Sequence, residues 1–120
     1  MIIDIYQGRL LDPSPEPKVR RILVDRLWPR GIAKNHPAIH QWMPDVAPSA
    51  ALRQWYHQNR AEYAIFRDRY RRELADNPAW EILRQIAETT PIMLLTYSRN
   101  LEASHVPILR ASLNEALTQR

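Results

Sequence analysis

Apolar positions along the chain follow two rhythms. Three short runs are continuous: Met1–Tyr6 (MIIDIY), Arg21–Asp25 (RILVD) around Ile22-Leu23-Val24, and Ile92–Tyr97 (IMLLTY). Runs of this length without alternation predict strands covered on both faces, as in parallel α/β sheets. Residues 7–19, with Gly8, Pro13, Pro15 and Pro17, predict a loop. Between the second and third runs the spacing changes to three and four. Ser49 predicts the N-cap of a short helix through Leu52, Trp55 and Tyr56. Tyr63, Phe66, Tyr70 and Leu74 form one apolar stripe of a helix over 61–74, with Arg60, Arg67 and Arg71 on another side. Asn77-Pro78 opens a further helix with Leu83, Ile86 and Ala87 inward. Val106, Leu109, Leu113 and Leu117 mark a C-terminal helix whose first turn contains Pro107, where a missing N–H costs nothing.

A strand, a run of helices and a second buried strand imply a parallel pair joined by a right-handed crossover. The expected fold class is α/β: one small domain over 1–120, with a short, mainly parallel sheet flanked by helices. No internal repeat or low-complexity tract is present.

Composition narrows what such a domain can do. At 120 residues the chain buries roughly two-thirds of its unfolded surface, so a conventional core suffices. It has no cysteine, which excludes disulfides, thiolate catalysis, Cys-based zinc sites and iron–sulfur clusters, and fits a reducing cytoplasm. No basic segment precedes the first apolar run, and no apolar stretch approaches the ~20 residues of a membrane span. The expectation is a cytoplasmic protein without membrane attachment. Gly8 and Gly31 are its two glycines, so neither of the glycine-rich nucleotide loops can be built and no cofactor is expected.

Of 17 basic residues, 15 are Arg, against 13 acids, for a net charge of +4. Arg supplies a planar fork that holds carboxylate or phosphate bidentately and stacks on aromatics. The Arg residues of 60–72 are interleaved with Glu62, Asp68, Glu73 and Asp76, which points to a solvated mixed-charge face.

Ligands of parallel sheets collect at the carboxyl ends of the strands, and two segments fall there. One is Asp25-Arg26-Leu27-Trp28-Pro29-Arg30-Gly31. If extended, it projects Arg26, Trp28 and Arg30 to one side, a clamp for an anion beside a stacking indole; the competing reading is a structural network with Glu73 or Asp25. The other runs from Tyr97 through Ser104-His105, where a helix N-terminus offers unpaired N–H groups and His105 is the side chain tuned to neutral pH. Trp42, Ser49 and Arg53 belong to a segment able to form a lid over the strand ends, whereas Trp55 and Trp80 read as core. His36 and His40 have the spacing of metal ligands but lack an intervening acid, so no metal site is expected.

RILVDRLWPRGIAK (21–34), W…APS…LRQWYH (42–57), FRDRYRREL (66–74) and LLTYSRN…SH (94–105) resemble the YeaO-like family within the domain of unknown function 488 group. The resemblance implies a small α/β fold in an uncharacterised bacterial family with no activity to carry over. It matches Asp25, Arg26, Trp28, Arg30 and His105. Where members read Asn-His-Ala, this chain has Ser104-His105-Val106, and Ser cannot supply an amide.

Three functions compete. The first is a small-molecule site for an anionic, nucleotide-like ligand: Arg26, Arg30 and Arg53 hold the anion, Trp28 and Trp42 stack, Ser49, Tyr97 and Ser104 line the site, and Asp25 with His105 forms a proton-exchanging, catalytic pair. The second, less favoured, is a nucleic-acid-binding module. The third is a regulatory interaction domain. Spacing leaves open whether Asp25 and His105 meet, whether the protein is an enzyme, and its oligomeric state.

Overall fold

The computed structural model describes residues 4–119. Among them four strands, β1 (Ile5–Arg9), β2 (Arg20–Leu23), β3 (Gln41–Trp42) and β4 (Ile92–Thr96), form one sheet. Every pairing is parallel, in the order β1-β4-β2-β3. Four helices follow the predicted places: α1 (Ala50–His57), α2 (Tyr63–Ala75), α3 (Pro78–Thr89) and α4 (Val106–Thr118). Ser49 accepts from the Leu52 N–H and Asn77 from the Ala79 N–H, so both expected caps form. The α/β class of the sequence reading therefore stands.

Most bounds agree within two residues, and two departures are larger. The first strand was expected over Met1–Tyr6, whose first three residues lie outside those described; it continues through Gly8 to Arg9, inside the expected loop. Gly8 belongs there because a Cβ at this position would run into Met93 Cε on the neighbouring strand. The two-residue β3, too short for any periodicity, was not expected.

Strand alternation divides the core. Ile5, Ile22, Val24, Ile92 and Leu94 join one cluster, and Leu10, Leu23, Met93 and Leu95 the other. All buried apolar helix residues, among them Leu52, Phe66, Tyr70, Leu83 and Leu109, belong to the first cluster. Each fully buried large side chain of this kind contributes about 1.5–3 kcal/mol. The second face carries no helix. It is covered by the 10–19 segment through Leu10 and Val19, and by the segment after β2 through Trp28, Ile32 and Ile39.

Chain direction explains this asymmetry. The connections β1 to β2 and β2 to β3 run one way across the sheet, whereas β3 to β4 runs back. Crossovers of one hand must then lie on opposite faces, and the outward connections are the loops while the return holds α1, α2 and α3.

A cover of loops exposes backbone carbonyls to an apolar sheet, and Arg21 answers them. It is only 6% exposed, and burial lowers its pKa, although an Arg stays charged. Nε donates to the Ala38 carbonyl (2.7 Å), one terminal nitrogen to the Leu10 carbonyl (2.8 Å) and the other to Ser14 Oγ (2.9 Å). The Arg21 N–H donates to His40 Nδ1 at 3.0 Å. One guanidinium thus pins both covering segments to β2.

Replacing it tests that role. R21L orphans two buried carbonyls and is expected to cost about 2–4 kcal/mol, read from urea unfolding midpoints. R72L, at an exposed helix position, should stay within about 0.5 kcal/mol of the parent.

Candidate functional site

At the carboxyl ends of the strands, β2 and β4 lie side by side but send their chains to opposite faces: β2 to the loop face and β4 to α4. Ligand sites of open α/β sheets gather where neighbouring strands diverge in this way. Asp25 stands at this point. Its Oδ1 accepts from Thr96 Oγ1 at 2.7 Å and its Oδ2 from the Tyr97 N–H at 2.8 Å. The carboxylate therefore ties the end of one central strand to the end of the other. Thr96, almost wholly buried, was not singled out from sequence; its signal is a polar residue closing an otherwise apolar run.

His105 reaches the same point from the start of α4. Its Nε2 lies 2.8 Å from the Val24 carbonyl and 3.6 Å from Asp25 Oδ1. A carbonyl only accepts, so Nε2 carries the proton in the neutral ring. The ring edge meets Tyr70, 5.9 Å between centroids. Burial lowers the His105 pKa; Asp25 and the carbonyl bond oppose that shift without reversing it. The two side chains whose meeting the spacing left open are thus neighbours. Both are engaged: each Asp25 oxygen holds a neutral donor, and the His105 proton is held by backbone.

Arg26 leaves the chain in another direction. Its Nε donates to the Pro48 carbonyl at 3.1 Å and a terminal nitrogen to the Ala47 carbonyl at 3.0 Å. Neither Asp25 nor Glu73 is its partner. Glu73 instead clasps Ser49, accepting from the Ser49 N–H (2.9 Å) and hydroxyl (2.6 Å). Arg26 and Glu73 together fix the 47–49 turn and the entry into α1.

The expected one-sided array of Arg26, Trp28 and Arg30 does not form, because the chain bends at Arg26-Leu27. Trp28 turns onto the loop-covered face, edge-on to Trp42 at 5.3 Å, and donates to the Ile32 carbonyl at 2.7 Å. Trp42 donates to the Asp25 carbonyl at 2.8 Å. Lys34 Nζ sits 4.6 Å and 4.8 Å from the two ring centroids, so both indoles already hold a cation. Arg30 remains exposed in the following turn.

Around the α4 entrance, Ser104 Oγ donates to the Leu101 carbonyl and accepts from the Val106 N–H. Tyr56 and Tyr63 donate to the carbonyls of Ala103 and Ser104, each at 2.8 Å. Burial pushes the Tyr63 phenol up to about 12, so it stays a donor. Arg53 is exposed on α1, and Tyr97 is 53% exposed beyond β4. His36 and His40 each turn Nδ1 to a backbone N–H, of Ala38 and Arg21.

A family profile described as "Inactive DUF488-N3 subclade" matches residues 4–120. The uncharacterized protein YeaO of Escherichia coli (strain K12) is 39% identical over 108 residues, 89% of this chain and 94% of its own. An uncharacterized protein of Mycobacterium tuberculosis is 39% identical over 95 residues, 79% of this chain and 80% of its own. No solved structure matches.

The His105 environment has a measurable consequence. A histidine whose folded pKa is depressed leaves stability intact above its ordinary value of 6.5. Below that value the unfolded chain binds the proton first, so stability falls with pH until the folded pKa is reached. Urea unfolding followed from pH 7.5 down to 5 should show this decline, and H105Q should flatten it. Equal slopes in both proteins would show that His105 is not the group responsible.

Proposed function

The chain belongs to the YeaO-like DUF488 family, and from that premise we propose that it binds an anionic small molecule without transforming it. The site is the carboxyl end of β2 and β4, and a nucleotide-like metabolite in the cytoplasm is the ligand class. One observation carries this reading. Ser49, Arg53 and Tyr56 occupy one stripe of α1, and that stripe runs from the Arg26 clamp on Pro48 to the Ala103 carbonyl at the α4 entrance. Arg53 lies midway along it, exposed and without an acid partner among the described residues.

Each residue of the site then has a part. Arg53 and Arg30 supply charge, and Tyr97 offers a ring face for a base. Arg26, Ser49 and Ser104 hold the surrounding turns, and Trp28 and Trp42 report occupancy from the adjoining loop. Asp25 and His105 keep the strand ends in shape. A non-catalytic role suits both the engaged state of that pair and the word "inactive" in the description of the matching subclade.

Titration with phosphate and a nucleotide panel, followed by tryptophan fluorescence, tests the reading. A saturable change is expected for at least one nucleotide, weakened roughly tenfold or more by R53A, with the ligand recovered unchanged. Absence of any saturable response would overturn it. Binding to DNA or RNA that collapses with salt and ignores sequence would favour a nucleic-acid module instead.

A further inference from the structure

A second cleft lies away from the strand ends, along the outer edge of β1. It has a volume of about 450 Å³ and is walled by Tyr6, Pro13, Pro15 and Met93, with Gln7 and Arg110 along one side. Pockets of this size hold small molecules, and binding needs a few convergent polar groups.

The pairing register says which groups are available. Ile92 N–H donates to the Asp4 carbonyl and Leu10 N–H to the Thr96 carbonyl. In a parallel ladder this parity gives the backbone of residues 4, 6, 8 and 10 to β4 and turns that of residues 5, 7 and 9 outward. Two of the outward positions are already closed. The Ile5 carbonyl accepts from Arg110 Nε at 2.6 Å. At Arg9, the N–H donates to Asp12 Oδ2 (2.8 Å) and the carbonyl accepts from the Asp12 N–H (2.9 Å). Among the described residues, Gln7 between them keeps a free N–H and a free carbonyl. An opening one residue long cannot take a whole strand, but it suits one amino-acid residue, whose N–H and C=O leave on the same side and return one donor and one acceptor.

Three further features set the charges of the occupant. Gln7 Oε1 is buried without a hydrogen-bond partner, and a buried acceptor of this kind favours an incoming donor. Both terminal nitrogens of Arg110 lack partners among the described residues, which suits a carboxylate. The opposite rim is acidic: Asp12 lines the cleft, and Tyr6 Oη lies 2.7 Å from Glu16 Oε2. Carboxylate, amide and ammonium in that order describe a free dipeptide.

We propose that the β1 edge is a binding site for a zwitterionic dipeptide. Its C-terminal residue pairs with the Gln7 backbone, amide N–H to the Gln7 carbonyl and carboxylate to the Gln7 N–H; the carboxylate also meets Arg110, and the ammonium faces Asp12 and Glu16. An apolar side chain fits the wall formed by Pro13, Pro15 and Met93. This site shares no residue with the one at the strand ends, so the two readings stand or fall separately.

The test is a titration of the isotope-labelled protein with alanyl-leucine, followed by backbone amide shifts. Saturable shifts centred on Gln7 and Gly8 are expected. N-acetyl-leucine, lacking the ammonium, and alanyl-leucine amide, lacking the carboxylate, should each bind about tenfold more weakly or worse. Q7L, which replaces only the orphaned amide, and R110K, which keeps the charge but not the fork, should both weaken binding. Each is checked for an unchanged spectrum elsewhere before use. Absence of saturation with alanyl-leucine at millimolar concentrations, or equal binding of all three probes, overturns the proposal. Shifts that depend on protein concentration instead would identify a second copy as the occupant and equally overturn it.

Discussion

A guanidinium buried in a sheet must find oxygen acceptors inside the protein, because leaving it bare costs more than the fold can absorb. Arg21 finds them in loops that would otherwise have little reason to lie on β2. The helical face is held by the ordinary means of apolar stripes meeting apolar strands. The other face is short of such residues: Leu10, Val19, Leu23, Met93 and Leu95 are its buried members. There, directed bonds from one cation to Ala38, Leu10 and Ser14 substitute for the missing area. Removing the charge would therefore loosen two segments far apart in sequence, and with them the indole pair that packs beside them.

The same device recurs at the strand ends in the opposite polarity. Asp25 is an anion satisfied by neutral donors from Thr96 and Tyr97, as Arg21 is a cation satisfied by neutral acceptors. In both, a full charge is answered mainly by dipoles, an arrangement that fixes geometry more than it adds reactivity. A catalytic carboxylate and imidazole need a lone pair or proton aimed at a substrate. Here one lone pair on each Asp25 oxygen and the Nε2 proton of His105 are aimed at the frame.

Much of the fold was legible because it rests on periodicity. Ile22-Leu23-Val24 and Ile92–Leu95 announce central strands, and Tyr63, Phe66, Tyr70 and Leu74 announce a helix face. What could not be read depends on direction rather than spacing. Nothing local shows that the chain bends after Arg26, so the side on which Trp28 lands is set by its contacts with Trp42 and Lys34. The partner of Glu73 is likewise Ser49, 24 residues away, rather than one of the arginines beside it on α2. Arg21 was readable as the polar start of an apolar run, yet its acceptors are carbonyls, which every residue carries and no sequence pattern marks. His105 was found from its chemical type, its place at a helix start beyond a strand end and the family resemblance; its closeness to Asp25 follows from β2 and β4 being neighbours.

The order β1-β4-β2-β3 also bears on how the chain acquires its shape. β1 and β2, made early in synthesis, do not touch each other; both wait for β4, which begins at Ile92. No sheet with an interior strand can close until β4 at Ile92–Thr96 exists, and α4 must follow before Ile5 gains its contact with Arg110. An emerging fragment thus carries the continuous apolar run of β2 with its principal partner missing. Such chains fold late and all at once, and their exposed strands are the ones most in need of chaperone cover.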